Sequence, residues 1–393
     1  MMHVTIIGNG VSGFTVARTL RQHRPDIEIT VYTDEPYLYY PRPQLYDILS
    51  GGLTPNTVLP FKREWYLRHN IHIQLNTRVA AIKTERQHIY LDREHFLPYD
   101  RLVLAMGAHP FMPSIAGVDK TGVFTLRTLH DAMRIKAFAK AGGRTTIIGG
   151  GLLGLEVAVA LTQLGQQVHI VELLPHLLPR QLDSDGAMIL KQHIESHDIR
   201  ITLGTHIHQI TGQPAVSGVL LDNGHHLPCS LVMVSAGVRP NLIVARNAGF
   251  NTHKGIVVDS RLRTSIPHVY ACGNVAEFQG KVYETIPAAI EQATHIAHSI
   301  IKKDQSEYNG TTPASTLKIA GIDLTSLGVV NPEDSNYEVY KKTDDKHGIY
   351  KKLVLRQGSL VGAIILGEKT MVRRIRSLMN KTVTSKTVHD LLQ

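Results

Sequence analysis

The sequence is poor in the residues that build disulfide-rich, metal-binding and membrane-spanning proteins. It has two cysteines, Cys229 and Cys272, in 393 residues, too few for a disulfide framework or a paired-cysteine metal site. Aromatic residues make up 6% of the chain, and no apolar run approaches the roughly 18 residues that span a bilayer. No basic segment precedes the first apolar run, so no secretory signal is predicted. These absences lead us to expect a cytoplasmic protein without a membrane partner.

Acidic residues are also in the minority. The chain carries 42 Lys and Arg against 33 Asp and Glu, a net charge of +9. This charge predicts either a simple solvated basic surface or an acidic partner, whose approach a positive field speeds. A nucleic-acid partner is not expected, because no basic run is interleaved with aromatic residues. His206 and His208 are close in sequence, but no third ligand follows at metal-site spacing, so no metal is predicted.

What the chain does contain is a glycine-rich turn close to its start. Gly8-Asn9-Gly10-Val11-Ser12-Gly13 follows an apolar run at residues 4–7 and precedes an apolar-periodic stretch at 14–20. A dinucleotide pyrophosphate requires a strand, a glycine turn and a helix in this order. The first glycine permits the tight turn, the second lets the phosphates approach the backbone, and the third lets helix and strand pack closely. The N–H groups at the helix N-terminus then face the anion.

The same pattern returns near the middle of the chain. Residues 145–164 contain an apolar run, a set of spaced glycines and a second apolar stretch. Residues 97–110 also recur as residues 227–240, with Leu, Pro, Gly and Pro at matching positions. Two glycine turns, each followed by the same strand and glycine element, predict two dinucleotide-binding units.

Acidic residues end the second predicted strand of each unit. Asp34 and Glu35 follow the strand predicted at 28–33, and Glu172 ends the strand predicted at 168–172. These acids lie roughly 20 residues past the third glycine of each turn, where a carboxylate accepts hydrogen bonds from a ribose. Because an acid there repels a 2′-phosphate, Glu172 predicts NADH rather than NADPH.

The remaining pattern extends this plan. Helices are predicted at 64–68, 131–141 and 288–301. Further strands are predicted at 71–75, 79–82, 88–91, 256–259, 269–274, 353–356 and 360–366. The predicted fold class is α/β, with two Rossmann-like three-layer dinucleotide-binding domains and a small C-terminal α+β domain. The predicted domains are a discontinuous dinucleotide-binding domain at 1–110 with 239–312, a second dinucleotide-binding domain at 111–238, and a C-terminal domain at 313–393.

Several segments in order carry a family resemblance. They are GNGVSG at 8–13, YYPRPQL at 39–45, LVLAMGA at 102–108, TLRTLHDA at 125–132, GGGLLGLE at 149–156, LLPRQLD at 177–183, SAGVRPN at 235–241 and TSIPHVYACGNVAE at 264–277. Together they resemble the FAD-dependent pyridine nucleotide–disulfide oxidoreductase superfamily over essentially the whole chain. Within it they are most similar to the branch of NADH:rubredoxin reductases and nitrite reductase flavoproteins.

The resemblance implies that the domain at 1–110 with 239–312 binds FAD, that the domain at 111–238 binds NADH, and that a set of residues contacts these cofactors. Val79 is expected to meet the adenine, Asn274 the ribityl chain, and Thr285 with Ile286 the isoalloxazine. Glu156 is expected near the nicotinamide. The cofactor-binding residues are expected to be Gly8, Gly10, Val11, Ser12, Gly13, Asp34, Glu35, Arg42, Pro43, Val79, Ala105, Gly107, Arg127, Gly149, Gly151, Leu152, Leu153, Gly154, Glu156, Glu172, Gly237, Gly273, Asn274, Thr285 and Ile286.

The loop at residues 37–43 is too rich in proline and aromatic residues for a helix. It is either an ordinary surface loop or a cofactor-lining loop with Arg42 near the flavin. Three departures from the family pattern concern this region and the flavin. Asn274 replaces the usual Asp, Asp47 stands where many relatives have Lys, and the loop lacks the redox-active cysteines of disulfide reductases and peroxidases.

These features predict an NADH-oxidising flavoprotein that passes electrons to a small acidic redox protein such as rubredoxin. No catalytic base is assigned, because the cofactor carries out hydride transfer and the protein supplies geometry and electrostatics. Two alternatives stay open. One is an NADH oxidase that uses dioxygen, and the other is a slow-turnover FAD and NADH redox sensor. The chain is expected to be a monomer or a homodimer.

Overall fold

The computed structural model describes residues 1–92, 94–139, 141–302, 306–312, 314–332 and 335–393. In chain order its strands are β1 (His3–Ile7), β2 (Glu28–Tyr32), β3 (Ile71–Gln74), β4 (Ala81–Lys83), β5 (His88–Tyr90), β6 (Phe96–Pro98), β7 (Arg101–Leu104), β8 (Ala108–Pro110), β9 (Val123–Phe124), β10 (Arg144–Ile148), β11 (Gln167–Val171), β12 (Ile199–Thr202), β13 (Ile207–Thr211), β14 (Gly218–Leu221), β15 (His226–Pro228), β16 (Leu231–Val234), β17 (Val238–Pro240), β18 (Ile256–Val258), β19 (Val269–Ala271), β20 (Ala276–Phe278), β21 (Ala314–Ile319), β22 (Ile322–Gly328), β23 (Tyr337–Asp344), β24 (Ile349–Arg356) and β25 (Ser359–Leu366). Its α-helices are α1 (Val11–His23), α2 (Leu45–Ser50), α3 (Arg63–Arg68), α4 (Leu129–Phe138), α5 (Leu152–Gln163), α6 (Ser184–Glu195), α7 (Ile243–Asn247), α8 (Ile286–Ile300), α9 (Val372–Leu378) and α10 (Ser385–Leu392). None of these described helices is long and apolar enough to cross a membrane.

Residues 1–44, 53–109 and 238–311 form one compact unit. Its main sheet has the strand order β19-β7-β1-β2-β3, and every pair is parallel. Strands that are buried on both faces are continuous apolar runs, as in β7, where Leu102, Val103 and Leu104 have no exposed surface. Because the strands are parallel, the residues that follow β1, β2, β7 and β19 meet at one edge of the sheet. Ligands of open α/β sheets bind at this edge.

Residues 45–52, 110–237 and 312–393 form the other compact unit. It contains a second parallel sheet with the order β12-β11-β10-β16-β9. β10 pairs with β11 and β16 here, as β1 pairs with β2 and β7 in the first unit. The glycine turn after β10 and the acid after β11 therefore lie at the same edge of this sheet.

The same unit includes an antiparallel sheet with the order β21-β22-β25-β24-β23. Leu353 of β24 and Ala363 of β25 share one buried apolar cluster with Ile375 of α9 and with Val388 and Leu391 of α10. These two short helices therefore cover one face of the sheet. Helix α6 packs against β24 and β25.

The predicted α/β fold class, with two Rossmann-like domains and a C-terminal α+β domain, is confirmed. The helix predicted at 131–141 begins earlier, at Leu129, because Thr128 caps it. The Thr128 side chain accepts from the Asp131 N–H, and the Asp131 side chain accepts from the Thr128 N–H. The strand predicted at 79–82 is wrong in its first half, since β4 begins at Ala81. The three-domain division stays a prediction, and its boundary residue Pro313 lies outside the described residues.

Three strands of the C-terminal sheet were not predicted. These are β21, β22 and β23. β23 lies at the sheet edge and reads Tyr-Glu-Val-Tyr-Lys-Lys-Thr-Asp. Its mostly exposed side chains do not alternate between apolar and polar, so the period-two signal that identifies a half-buried strand is absent.

Candidate functional site

The glycine turn after β1 leaves no room for side chains at its first and third glycines. A Cβ at Gly8, where φ is +106°, would lie 2.2 Å from the Ala105 carbonyl oxygen. A Cβ at Gly13 would lie 1.9 Å from the Gly8 carbonyl oxygen. At Gly10 a Cβ would meet no atom of the described residues within 4 Å, so the backbone there is open to an approaching group. No side chain in the described part of the chain caps the N-terminus of α1, which leaves its first turn suited to an anion.

The turn after β10 repeats this geometry. A Cβ at Gly149, where φ is +108°, would lie 2.6 Å from the Ser235 carbonyl oxygen, and one at Gly154 would lie 2.0 Å from the Gly149 carbonyl oxygen. Gly151 again faces open space. Leu152 and Leu153, which are predicted to bind the cofactor, start α5. Within the described residues no side chain caps this helix at its N-cap Gly151. Each turn can therefore admit a diphosphate at its middle glycine.

Asn9, inside the first turn, was missed as a candidate binding residue. Asn9 is buried at 9% exposure. Neither amide atom has a partner with hydrogen-bond geometry in the described part of the chain, although the Tyr66 hydroxyl lies near the amide. Buried polar atoms are normally paired. The buried amide beside the open Gly10 therefore fits a bound polar group. The sequence signal for Asn9 is a polar residue placed directly between Gly8 and Gly10.

The acids at the end of β2 differ in their surroundings. Asp34 is exposed, whereas Glu35 accepts a hydrogen bond from Arg42 at 2.7 Å and a short one from the Tyr40 hydroxyl. The Arg42 guanidinium also lies over the Tyr40 ring, 5.6 Å from its centroid. The loop at 37–43 is thus folded onto Glu35 and brings two predicted site residues, Glu35 and Arg42, into contact.

Glu172 is buried after β11 and is bound to the second glycine turn. Its carboxylate accepts the Gly150 N–H at 2.6 Å and the Leu174 N–H at 2.8 Å. A Cβ at Gly150 would lie 2.6 Å from the Leu177 side chain and 3.2 Å from the Glu172 Cβ. A carboxylate has about four acceptor positions, so Glu172 keeps capacity for two ribose hydroxyls.

The turn at Gly273–Val275 packs against the start of α1. A Cβ at Gly273, where φ is +73°, would lie 2.3 Å from the Ser12 hydroxyl oxygen. The Gly273 N–H donates to the Gln292 side chain at 2.8 Å, and Gln292 is 1% exposed. The predicted residues Ser12, Gly273 and Asn274 therefore lie together. Gln292 was missed, although a glutamine on the apolar face of a helix is a visible signal.

The sequence matches a known protein family over most of its length. The sequence profile of pyridine nucleotide-disulphide oxidoreductases matches residues 2–293. The chain belongs to this family. The profile of the rubredoxin NAD+ reductase C-terminal domain matches residues 313–383, which covers the antiparallel sheet and α9.

Named relatives include an NADH oxidase, a nitrite reductase and an NADH:rubredoxin oxidoreductase. An NADH oxidase of Methanocaldococcus jannaschii is 34% identical over 96% of this chain and 90% of its own length. The NAD(P)H nitrite reductase of Bacillus subtilis is 32% identical over 96% of this chain and 47% of its own length. The chain therefore spans about half the length of that relative. The crystal structure of NADH:rubredoxin oxidoreductase from Clostridium acetobutylicum is 27% identical, with a TM-score of 0.83 and 99% of each chain covered.

Asp47 stands where many relatives are expected to have Lys. It lies on α2, which packs against α5, the helix that contains Glu156. Burial raises the pKa of Glu156 to about 7, and the nearby negative charge of Asp47 adds to this. Tyr46 lies near both Glu156 and Arg127, and burial raises the pKa of its hydroxyl. Two predicted site residues, Arg127 and Glu156, therefore belong to one electrostatic cluster.

Both cysteines are buried, and neither forms a disulfide. Burial raises the pKa of Cys272 to about 12 and also raises the pKa of Cys229. Neither thiol is therefore a thiolate at neutral pH, the form that reacts. Among the described residues no group of three or more His, Cys, Asp and Glu could hold a metal ion.

The remaining predicted residues lie at strand and helix ends. Gly107 and Gly237 both have positive φ, 66° and 99°, after the equivalent strands β7 and β16. Thr285 is the N-cap of α8, and Ile286, its first helical residue, is 43% exposed. The others are Val79, buried before β4; Ala105, buried after β7; Val11, at the start of α1; and Pro43, exposed in the 37–43 loop.

Proposed function

We propose that this chain is an FAD-dependent oxidoreductase that takes hydride from NADH and delivers electrons to a small acidic redox protein such as rubredoxin. The observation that carries this proposal is the pair of glycine turns. Each turn lies at the carboxyl edge of its own parallel sheet, and its middle glycine faces open space among the described residues. After the neighbouring strand of each sheet comes a glutamate whose carboxylate is held by hydrogen bonds. One turn accounts for one dinucleotide, and two account for FAD and NADH.

Each nucleotide has its own residues in this proposal. The turn at 8–13 holds the FAD diphosphate, Glu35 accepts its adenosine ribose, and the Gly273–Val275 turn faces its ribityl chain. The turn at 149–154 holds the NADH diphosphate, and Glu172 accepts its adenosine ribose. Bound FAD supplies a two-electron acceptor for hydride and a one-electron donor for a carrier. The protein orients the two nucleotides, so no side chain is required to act as a catalytic base.

An external acceptor follows from the chemistry of the thiols. Both cysteines are free and buried, and burial raises the pKa of each thiol, so these two residues do not supply an internal disulfide for the electrons. A net charge of +9 favours encounter with an acidic protein. The NADH:rubredoxin oxidoreductase of Clostridium acetobutylicum, similar over its whole length, and the C-terminal domain match support rubredoxin as the model acceptor.

Dioxygen is the second candidate acceptor. It is favoured by the NADH oxidase of Methanocaldococcus jannaschii, which is 34% identical over most of its length. The two readings differ in the step that follows NADH oxidation. If rubredoxin is the acceptor, it must oxidise the reduced protein rapidly. If the protein is an oxidase, dioxygen alone must oxidise the reduced protein rapidly.

The test is an anaerobic stopped-flow experiment on the purified protein. Denaturation of one sample should release FAD, identified by its absorbance and by chromatography. In a second, native sample NADH should bleach the flavin absorbance. The reduced protein is mixed with oxidised rubredoxin or with dissolved dioxygen. Faster oxidation by rubredoxin supports the proposal, and faster oxidation by dioxygen supports the oxidase. If both are slow while NADH changes the oligomeric state, the protein is a redox sensor.

A further inference from the structure

A segment without helix or strand joins β11 to α6. We call residues 172–183 the ribose segment, because it begins with Glu172, the proposed acceptor of the NADH ribose. Leu177, Leu178 and Leu182 in it are buried at 0%, 2% and 0% exposure. Leu178 adopts a left-handed φ of +49°, which a branched residue keeps only where its surroundings impose it.

The N-terminal end of the ribose segment is held by the glycine turn at residues 149–154. The Glu172 carboxylate accepts the Gly150 and Leu174 N–H groups. Leu177 occupies the space that a side chain at position 150 would fill, since a Cβ there would lie 2.6 Å from Leu177. Movement of this segment would therefore displace the carboxylate from the turn.

The other end is held by the C-terminal antiparallel sheet. Asp183 is 8% exposed and accepts from the Tyr350 hydroxyl at 2.7 Å and the Lys352 Nζ at 2.9 Å. Lys341 Nζ, beside Lys352 in the register of β23 and β24, lies 3.1 Å from the same oxygen. The other Asp183 oxygen caps α6 by accepting the Gly186 N–H at 3.2 Å.

Two further contacts from the C-terminal region reach this segment and the helix α6 that follows it. The Asn331 side-chain amide donates to the carbonyl oxygens of Pro179 and Leu182, each at 3.0 Å. A Cβ at Gly186 would lie 2.9 Å from the Tyr350 ring, so glycine lets the ring lie against the first turn of α6. Burial alone would raise the pKa of Asp183, but hydrogen bonds from Tyr350, Lys352 and Gly186 outweigh it and hold the pKa at about 2.

We propose that the C-terminal sheet positions the NADH site, with Tyr350, Lys352 and Asn331 as positioning residues that hold the ribose segment and thereby Glu172. This inference rests on the proposed function, because it takes Glu172 as the ribose acceptor. A segment held in its binding conformation loses less conformational freedom when the nucleotide binds. Loosening it therefore weakens binding of the adenosine half of NADH and leaves the nicotinamide half unaffected.

The same strand offers a matched control. Lys351 is buried next to Lys352, but successive residues of a strand face opposite sides of the sheet. Its Nζ pairs with Glu368 at 2.7 Å, and Leu353, two residues along, packs with α9 and α10. Lys351→Met and Lys352→Met each remove one buried lysine charge from β24, but only the second removes contact with the ribose segment.

The experiment measures reduction of the FAD-loaded protein by NADH and by reduced nicotinamide mononucleotide, which lacks the adenosine. For Lys352→Met we expect the KM for NADH to rise about tenfold, with kcat and the KM for the mononucleotide within about twofold of wild type. NAD+ affinity, measured by calorimetry, should fall by the same factor. Lys351→Met should change none of these, and melting temperatures show what each substitution costs in stability. Tyr350→Phe removes one hydrogen bond with little change in shape and should give about a threefold rise if Lys352→Met does not fold.

The outcomes separate this inference from the proposed function. Glu172→Gln is the reference: if it leaves the KM for NADH unchanged, the ribose assignment itself is wrong. If Glu172→Gln raises that KM and neither Lys352→Met nor Tyr350→Phe does, the positioning role is overturned. Equal losses with NADH and the mononucleotide would also overturn it, because they indicate general damage.

Discussion

The Arg42 guanidinium donates to the Glu35 carboxylate across 2.7 Å, although the family resemblance assigned Arg42 to the flavin and the sequence spacing assigned Glu35 to the ribose. The two side chains are partly buried, at 32% and 19% exposure, and Tyr40 donates to the same carboxylate. Because Glu35 follows β2, where the ribose acceptor is expected, we expect Arg42 to act at the adenosine end of FAD by holding Glu35.

Arg42→Met should therefore weaken FAD binding without changing the reduction potential of the flavin. A charge-assisted hydrogen bond contributes about 1.5–3 kcal/mol, and partial exposure reduces this toward its lower end, so the Kd should rise about tenfold. Trp65, the one tryptophan of the chain, contacts Phe14 of α1, so its fluorescence can report FAD binding. Arg24→Met, which breaks the exposed Arg24–Asp26 pair, is the control. An unchanged Kd with a shifted flavin reduction potential would place Arg42 at the flavin instead.

Glu172 should determine the preference for NADH over NADPH. Replacing it with Gln removes the negative charge that repels a 2′-phosphate and one acceptor of its bonds to Gly150 and Leu174. Bonds to a charged group contribute about 1.5–3 kcal/mol, so the ratio of kcat/KM for the two nucleotides should fall at least about tenfold. Glu195→Gln, in the exposed pair with Lys191, should leave the ratio unchanged. A wild-type protein with equal kcat/KM for both nucleotides would refute the assignment.

The sequence was most informative where backbone geometry demands particular residues. The first and third glycines of both turns could be placed because a neighbouring carbonyl excludes any Cβ there. Glu172 could be placed because its spacing follows from strand and helix lengths. The Arg42–Glu35 contact could not be placed, since it depends on how an irregular loop folds. Nor could the Asp183–Lys352 pair, whose residues are far apart in sequence and meet only through tertiary packing.

Glu156 should make stability depend on pH. Burial and Asp47 raise its pKa from 4.5 to about 7, so its stabilising contribution is present below pH 4.5 and is lost as pH rises through 7. After allowance for partial exposure, wild type should lose about 1–2 kcal/mol of unfolding free energy between pH 5 and 8 relative to Glu156→Gln. Denaturant titrations at several pH values measure this. Glu195→Gln should follow wild type, and parallel curves for wild type and Glu156→Gln would contradict the prediction.

The cysteines should not take part in turnover. Both thiols are buried and have raised pKa values, which is typical of small buried apolar residues. The Cys229→Ser and Cys272→Ser double variant should reduce FAD with NADH at a rate within about twofold of wild type, measured by stopped flow. Cys272 precedes the Gly273 turn, so its variant is loaded with excess FAD. Loss of flavin reduction in a fully loaded Cys229→Ser protein would show that a thiol participates.

Electron transfer to an acidic carrier should depend steeply on salt. With a net charge of +9, opposite fields raise encounter rates by about 10- to 1,000-fold at low ionic strength. The Debye length falls from about 10 Å at 0.1 M salt to about 3 Å at 1 M, so the second-order rate with rubredoxin should fall by at least about tenfold over this range. Hydride transfer from bound NADH to the flavin is intramolecular and provides the internal control, since its rate should stay nearly constant. If oxidation of the reduced protein by rubredoxin is slow and does not depend on salt, while oxidation by dioxygen is fast, the result would favour the NADH oxidase hypothesis.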